Sequence, residues 1–583
     1  SNSHNMLFTY DSYGRIDSLT NVISGTSYKN EYDYGDKDVA GEIPGLIYNV
    51  KLNGTTQLTY DFDQLARLST RTINGANNYQ ISYTYLDGSG SNSTTTLLAS
   101  LTNGSNAAFN YSYDANGNIL TIKEGTTTKA TYTYDKMNQL IREDNVYSGK
   151  SIDYVYDIGG NIVSRTEYNY TGGSRGTLIK AFNYGYSTSW KDQMTSYDGQ
   201  TITYDSIGNP LTYRDGLSFT WANGRELAGV TNGTQTGSYT YNDSGIRTSK
   251  TYNNATTNYY LNGSSIVRQV SGSKILDFFY DENGNLYGFK EAGAMYYYLR
   301  NGQNDIIGIL DNTGAQVVSY VYDSWGNPIS TTGTLATSVG ADNPFRYRGY
   351  YLDSETGLYY LNSRYYDSMT GRFINVDGLV SASSTLLGTN MYAYCENNPV
   401  NYQDSTGFFL EGLVNFTNNL SRGISQVITT VEACLFAQIS FIALGGAIGV
   451  GLITGAVTVD EVNQDLKNLN FFNTSEDKVL DSHIVSFYKG IPVIKQDLFS
   501  GSMSLGAIFL DRKITREEEV TETVKHEYGH NVQLAKMMPV AYLVGIGAPS
   551  LAFSIYDTLR KDFTDYFKRP WEASADFYGG VER

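Results

Sequence analysis

Through the first 330 residues, apolar and polar positions alternate in short runs, and the runs end at one recurring kind of turn. "FTYDSYGRIDSL" (8–19), "YSYDANGNILTI" (111–122), "YTYDKMNQLIRE" (132–143), "YVYDIGGNIVSR" (154–165), "ITYDSIGNPLTY" (202–213), "FFYDENGNLYGF" (278–289) and "YVYDSWGNPIST" (320–331) share a form. Six of the seven read aromatic-x-Tyr-Asp, and the one at 202–213 has Ile202 in the first place; two residues follow, then usually Gly-Asn, then a new alternating run. Tyr-x-Tyr in a strand puts both rings on one face, and Gly-Asn supplies positive-φ residues for a tight turn. The motif therefore predicts a β-hairpin. One hairpin cannot bury its apolar face, so neighbours must stack into a continuous sheet. The pattern fits a solenoid, a propeller or a large spiral shell.

Composition agrees with a mostly-β protein. The chain of 583 residues contains 52 tyrosines and 59 glycines but 9 prolines. Tyr, Thr and Val favour strands; Gly, Asn and Asp favour turns. A net charge of -17 without a basic patch argues against a nucleic-acid partner. Two cysteines, Cys395 and Cys434, are too few for a disulfide framework. The first residues, 1–5, read as a cloning scar ahead of a repeat already under way, as in a fragment of a longer protein.

The repeats resemble the YD repeats of the Rhs and teneurin-like families over roughly residues 6–407. The resemblance implies a mainly β fold, a YD-repeat spiral β-sheet forming a hollow cocoon (6–344). A sugar-binding β-solenoid with exposed, stacking tyrosines is the plainer alternative. Residues 345–407, with "FRYRGYYLDSETGLYYLNSRYYDSMTGRFINVDGL" and "MYAYCENNPVNYQDSTGF", resemble the Rhs repeat-associated core of Gram-positive polymorphic toxins. In that family the core closes the shell and marks where a variable C-terminal effector begins. Relatives cut themselves there with two aspartates, one as acid and one as base on a shared proton. By position these are Asp377 and Asp404, with cleavage just after Gly407 or Phe408. Proline usually follows each aspartate; Gly378 and Ser405 stand here instead, so two ordinary turn aspartates are the alternative.

Past residue 408 the alternation stops and helical signals begin, which predicts a smaller, mainly α (α+β) effector domain. Residues 433–459 carry no charge and are long enough to span a bilayer; they read as a membrane-active segment or as an apolar linker within 408–470. Within 471–583, "ITREEEVTETVKHEYGHNVQLAKMM" (514–538) predicts a helix with a capping box at Thr515 and Glu518 and a stop at Pro539. His526 and His530 then leave one face, the spacing for two nitrogens on one Zn²⁺, with Glu527 placed to take a proton from metal-bound water. A second charge-free run (537–556) raises an intramembrane protease, but the charges crowding the histidine helix argue against one.

A third ligand is expected downstream. The Glu-x-x-x-Asp spacing of Glu572 and Asp576 resembles that of thermolysin-like gluzincins. The resemblance implies Glu572 as the zinc ligand and Asp576 as the partner that orients His526. The reading is a shell enclosing a zinc-dependent peptidase, secreted or surface-delivered into a target cell, with a protein substrate and a cognate immunity protein. A structural or adhesive surface protein with an inactive tail, and a pore-forming effector using 433–459, are the rivals.

Overall fold

In the computed structural model, each Tyr-Asp motif ends one strand and opens a turn that the aspartate builds. Asp114 shows how: Oδ1 accepts the backbone N–H of Asn116 and of Asn118, both at 2.8 Å, and Oδ2 accepts the Asn118 side-chain amide at 2.9 Å. The same contacts recur at Asp157 with Gly159 and Asn161, and at Asp205 with Ile207 and Asn209. At Asp11 and Asp63 the guanidinium groups of Arg15 and Arg67 replace the amide. The residue between is left-handed whatever its type: Gly117 at φ 86°, Ala66 at 61°, Asn138 at 63°. Only this position needs positive φ. Asn118, Asn161 and Asn209 stay outside the left-handed region, so the expectation that both Gly and Asn supply it is corrected. The asparagine instead returns its amide to the carboxylate, an Asx turn with a second lock.

The tyrosine ties strand to strand. A β-bulge falls immediately before Tyr34, Tyr134, Tyr156, Tyr241, Tyr280 and Tyr322. Bulges re-aim the side chain that follows. These six hydroxyls donate to the carbonyls of Ile16, Ile119, Leu140, Leu227, Ile266 and Ile306 at 2.6–3.1 Å. Each acceptor lies at or near the start of the preceding strand. One residue type thus supplies core area through its ring and a hydrogen bond through its hydroxyl, which accounts for the tyrosine content.

The structure describes residues 4–407 except 37, 38, 40, 91, 92, 282 and 378–386, and beyond them the backbone of five short strands. The chain forms two compact units, Ser1–Gly423 and Ile424–Arg583. In the first, a 17-stranded sheet runs from His4–Tyr10 to Gln200–Thr201 and a 14-stranded sheet from Thr203–Tyr204 to Pro328–Thr332. Every strand pairs antiparallel with its sequence neighbours, as at Ile152 opposite Glu167 or Leu276 opposite Glu291. The second sheet faces the first. Tyr28 Oη donates to Asp277 at 3.0 Å, Tyr60 Oη to Asp281 at 3.2 Å, and Tyr297 Oη to Gln57 at 2.7 Å. Val50, Leu58, Leu140, Leu276, Phe289 and Ile309 fill the space between and are almost fully buried. A cavity of about 380 Å³ remains, bordered by Tyr111, Tyr132, Tyr320, Tyr322 and Arg348. The expected YD-repeat spiral shell is the fold observed.

The segment after the last hairpin is built differently. Strands Tyr351–Asp353, Leu358–Leu361, Arg364–Asp367 and Arg372–Phe373 form a small sheet, nearly all of it buried. Charges fasten it to the shell: Asp353 to Arg247 (2.6 Å) and Lys250 (2.9 Å), Asp367 to Arg214 (2.7 Å), Arg348 to Asp305 (2.8 Å). Its asparagines sit on the aspartate turns. Asn398 donates to Asn118, Asn397 to Gln139 and the Gly160 carbonyl, Asn390 to the Gly159 carbonyl and Asn161. In the second unit the described strands are Val485–Tyr488, Ile491–Gln496, Met503–Ser504 and Ile508–Asp511. Ile491–Gln496 pairs antiparallel with the first and parallel with the last.

Candidate active site in the closing segment

Asp377 and Asp404 lie 27 residues apart in sequence, yet both reach one side chain. Arg364 Nη2 is 3.1 Å from Asp377 Oδ2 and 3.1 Å from Asp404 Oδ2. The two oxygens therefore lie within twice that distance of each other. The guanidinium is buried and stacked on the Phe373 ring, 3.5 Å from its centroid. Burial pulls the Arg364 pKa down, and the two carboxylates offset part of that effect.

The backbone delivers each aspartate separately. The Asp377 N–H donates to the Met391 carbonyl at 3.0 Å, and Arg225 Nη1 donates to the Val376 and Asp377 carbonyls. Asp404 opens a turn in which Oδ1 accepts the Gly407 N–H at 2.7 Å. Arg364 Nε donates to the Gly407 carbonyl. One of the two carbonyls at which cleavage is expected, that of Gly407, is thus polarised by the same guanidinium that gathers the aspartates. Ser363 Oγ donates to the Thr406 carbonyl at 2.8 Å. Gly407 has φ 76°, and a Cβ there would sit 2.5 Å from Ser363 Oγ and 2.7 Å from the Leu361 carbonyl oxygen. Glycine is required for that approach.

The arrangement differs from the expected dyad in one respect. A cation, Arg364, stands within reach of both carboxylates, and opposite charge draws each of them to it. Sequence reading missed Arg364, Ser363 and the glycine's geometry. No local signal marks Arg364: that all four residues of "RYYD" are buried is read from the structure, and only then does a buried arginine demand partners.

Phe408 and Gly378 lie outside the described residues, as do His526, Glu527, His530, Glu572 and Asp576 and the apolar run 433–459. Among the described residues no cluster of metal-ligating side chains occurs, and no helix is long and apolar enough to cross a membrane.

Fold and site together define a YD-repeat shell with a capping segment. The Teneurin YD-shell model matches residues 41–201 and 265–400, half the chain, and the chain belongs to that family. The tRNA3(Ser)-specific nuclease WapA of Bacillus spizizenii is 35% identical over 290 residues, 48% of this chain and 12% of the relative. The double-stranded DNA deaminase toxin A of Burkholderia cenocepacia is 23% identical over 335 residues, 51% of this chain and 22% of that protein. Among solved structures, the TcdB2-TccC3 complex superposes with a TM-score of 0.55 at 17% identity, over 70% of this chain and 22% of that one. The chain spans about an eighth of the WapA relative's length.

Proposed function

We propose that this chain is part of a secreted YD-shell toxin that cuts itself after Gly407 and so frees the segment from 408 onward as its effector. The observation that carries the reading is the convergence of Asp377, Asp404 and the Gly407 carbonyl on Arg364. The reaction is hydrolysis. A water oxygen adds to the Gly407 carbonyl carbon, and one aspartate accepts the water's proton. Arg364 stabilises the oxyanion as charge develops on the carbonyl oxygen. The Gly407–Phe408 C–N bond then breaks, and the proton passes to the Phe408 amine. The relatives named a toxin, a tRNA nuclease and a DNA deaminase support the wider assignment to enzymatic toxins.

The effector's chemistry is read from sequence. His526 and His530 one helical turn apart, with Glu572, are a donor set that suits Zn²⁺, and these three residues would hold it. The ion, when bound, supplies an activated water at neutral pH. Glu527 would move the proton and Asp576 would orient His526. The substrate is then a protein, and the producing cell needs a cognate immunity protein. The run 433–459 would engage the target membrane during delivery.

One experiment separates these levels. The full chain is expressed in a bacterium as wild type, Asp404→Asn and Glu527→Ala, with growth and intact mass recorded. Wild type is expected to yield two fragments, whereas Asp404→Asn stays at 64.6 kDa. Growth is expected to recover with Glu527→Ala. An uncut wild-type chain overturns self-cleavage. Equal toxicity of wild type and Glu527→Ala overturns the peptidase and favours an effector acting on nucleic acid, as the named relatives do.

A further inference from the structure

Two contacts of Asp404, with the Arg364 guanidinium and with the Gly407 N–H, belong to the reaction centre already described. Another is made by its backbone N–H, which donates to Tyr350 Oη at 2.8 Å. Tyr350 Oη lies 3.0 Å from Tyr394 Oη. Both tyrosines are buried, and Tyr394 stacks on Tyr366 with centroids 4.0 Å apart.

What fixes Tyr394 comes from the shell. The three residues after it, Cys395, Glu396 and Asn397, are all left-handed, at φ 51°, 49° and 62°. Three such non-glycine residues in a row are unfavourable for L-amino acids and persist only where the surroundings impose them. The Asn397 amide supplies that constraint, donating to Gln139 Oε1 at 2.9 Å and to the Gly160 carbonyl at 2.7 Å. Both acceptors lie on aspartate turns of the shell. A chain of contacts therefore runs from two shell turns through Asn397 and Tyr394 to Tyr350, and from there to the first residue of the 404–407 turn.

We propose that Tyr350, steadied by Tyr394, is the positioning residue of the self-cleavage site. Its oxygen sets the register of the 404–407 turn, so that the Asp404 carboxylate and the Gly407 carbonyl meet Arg364 together once the shell turns are in place. The inference rests on the self-cleavage reading. Tyr350 touches no reacting atom; it acts through the Asp404 backbone.

The test is the fraction cut against time after cell-free synthesis of the full chain, with the C-terminal residue of the shell fragment read by mass. Tyr350→Phe is expected to slow cutting at least tenfold and to replace one end at Gly407 with a mixture of ends. Tyr394→Phe leaves the Tyr350 acceptor in place and should slow it less. Tyr360→Phe is the control. That hydroxyl also accepts a buried backbone N–H, from Arg247 at 2.9 Å, but in a different joint, so its loss should leave rate and end unchanged. Cutting of Tyr350→Phe at the wild-type rate with the wild-type end overturns the inference while leaving self-cleavage standing. A wild-type chain that never cuts overturns both.

Discussion

The hairpin shell and its closing segment hold the same unit together by opposite means. In the shell, neutral tyrosine hydroxyls and Asx turns tie one strand to the next at many places, with small variations. In the closing segment one unit recurs just once, the Asp-Ser-x-Thr-Gly turn at Asp353 and Asp367, and its aspartates pair with charges of the shell. Buried charges such as Asp353 and Asp367 each make one joint, and these two joints span 106 and 153 residues of sequence. Redundant local contacts tolerate loss, because a repeat array is stabilised by many nearest-neighbour terms. Single buried ion pairs do not, because removing one partner strands the other charge away from water. The difference suits a repetitive shell closed by a few specific joints.

The largest effect is expected at Arg247. Its guanidinium and the Asp353 carboxylate are both wholly buried, and the Tyr360 ring lies 4.3 Å below the cation. Arg247→Ala should cost about 3–5 kcal/mol, the range for breaking a buried pair from one side, measured by denaturant unfolding. Replacing both partners, Arg247→Met with Asp353→Leu, should recover most of that loss. A single variant costing under about 1 kcal/mol would place this joint with the shell contacts and erase the contrast. Burial pushes the Asp353 pKa up, but Arg247 and Lys250 outweigh it and hold the carboxylate below its ordinary range. Its contribution is therefore present above the unfolded value near 3.8 and is lost as pH falls through the lower folded value.

One acid inside the shell behaves the other way. Glu143 is fully buried, with Tyr154 donating to Oε1 at 3.2 Å and Ser324 donating to Oε2. Burial, reinforced by the Asp323 charge, pushes it up to about 7, against the pull of Arg165. The folded chain thus keeps a proton that the unfolded chain releases from about pH 4.5 upward. Stability should fall as pH rises from there through about 7 and then level off. Glu143→Gln should flatten that slope and raise stability at pH 8 by on the order of 2 kcal/mol. Thermal melts at pH 5 and pH 8 decide it, and identical slopes for both proteins would remove Glu143 as the source. Acid thus weakens the Asp353 joint of the closing segment while favouring Glu143 in the shell.

How much of this could be read beforehand follows the same divide. Local periodicity carried the hairpins, the turn positions and the mainly β class, because Tyr-x-Tyr and the left-handed residue act within one motif. The second lock at Asn118 escaped, since an amide returning to Asp114 looks identical to a turn-forming asparagine in sequence. The bulges escaped because they exist only against a partner strand. In the closing segment, Asp377 and Asp404 were picked out by family resemblance, while Arg364 and the hydroxyl of Tyr350 depend on contacts between distant residues that no local pattern encodes. The His-Glu-x-x-His pattern at 526–530 stands out in sequence for the converse reason: the expectation drawn from it needs only the spacing of residues within one segment.

The smallest expected effect tests the shell's side of the contrast. Tyr156→Phe keeps the ring and loses the 2.6 Å bond to the Leu140 carbonyl, so it should cost about 1 kcal/mol. Tyr34→Phe loses the equivalent bond to Ile16 at the far end of the sheet, at similar cost. If the shell is a sum of neighbour terms, the double variant should lose the sum of the two within about 0.5 kcal/mol, measured by the same denaturant titration. Strong coupling between sites that share no contact would mean that the sheet responds as one body. The redundancy inferred from its repeats would then be only apparent, and a single lost hydroxyl would weaken the container as much as a lost charge weakens its closing segment.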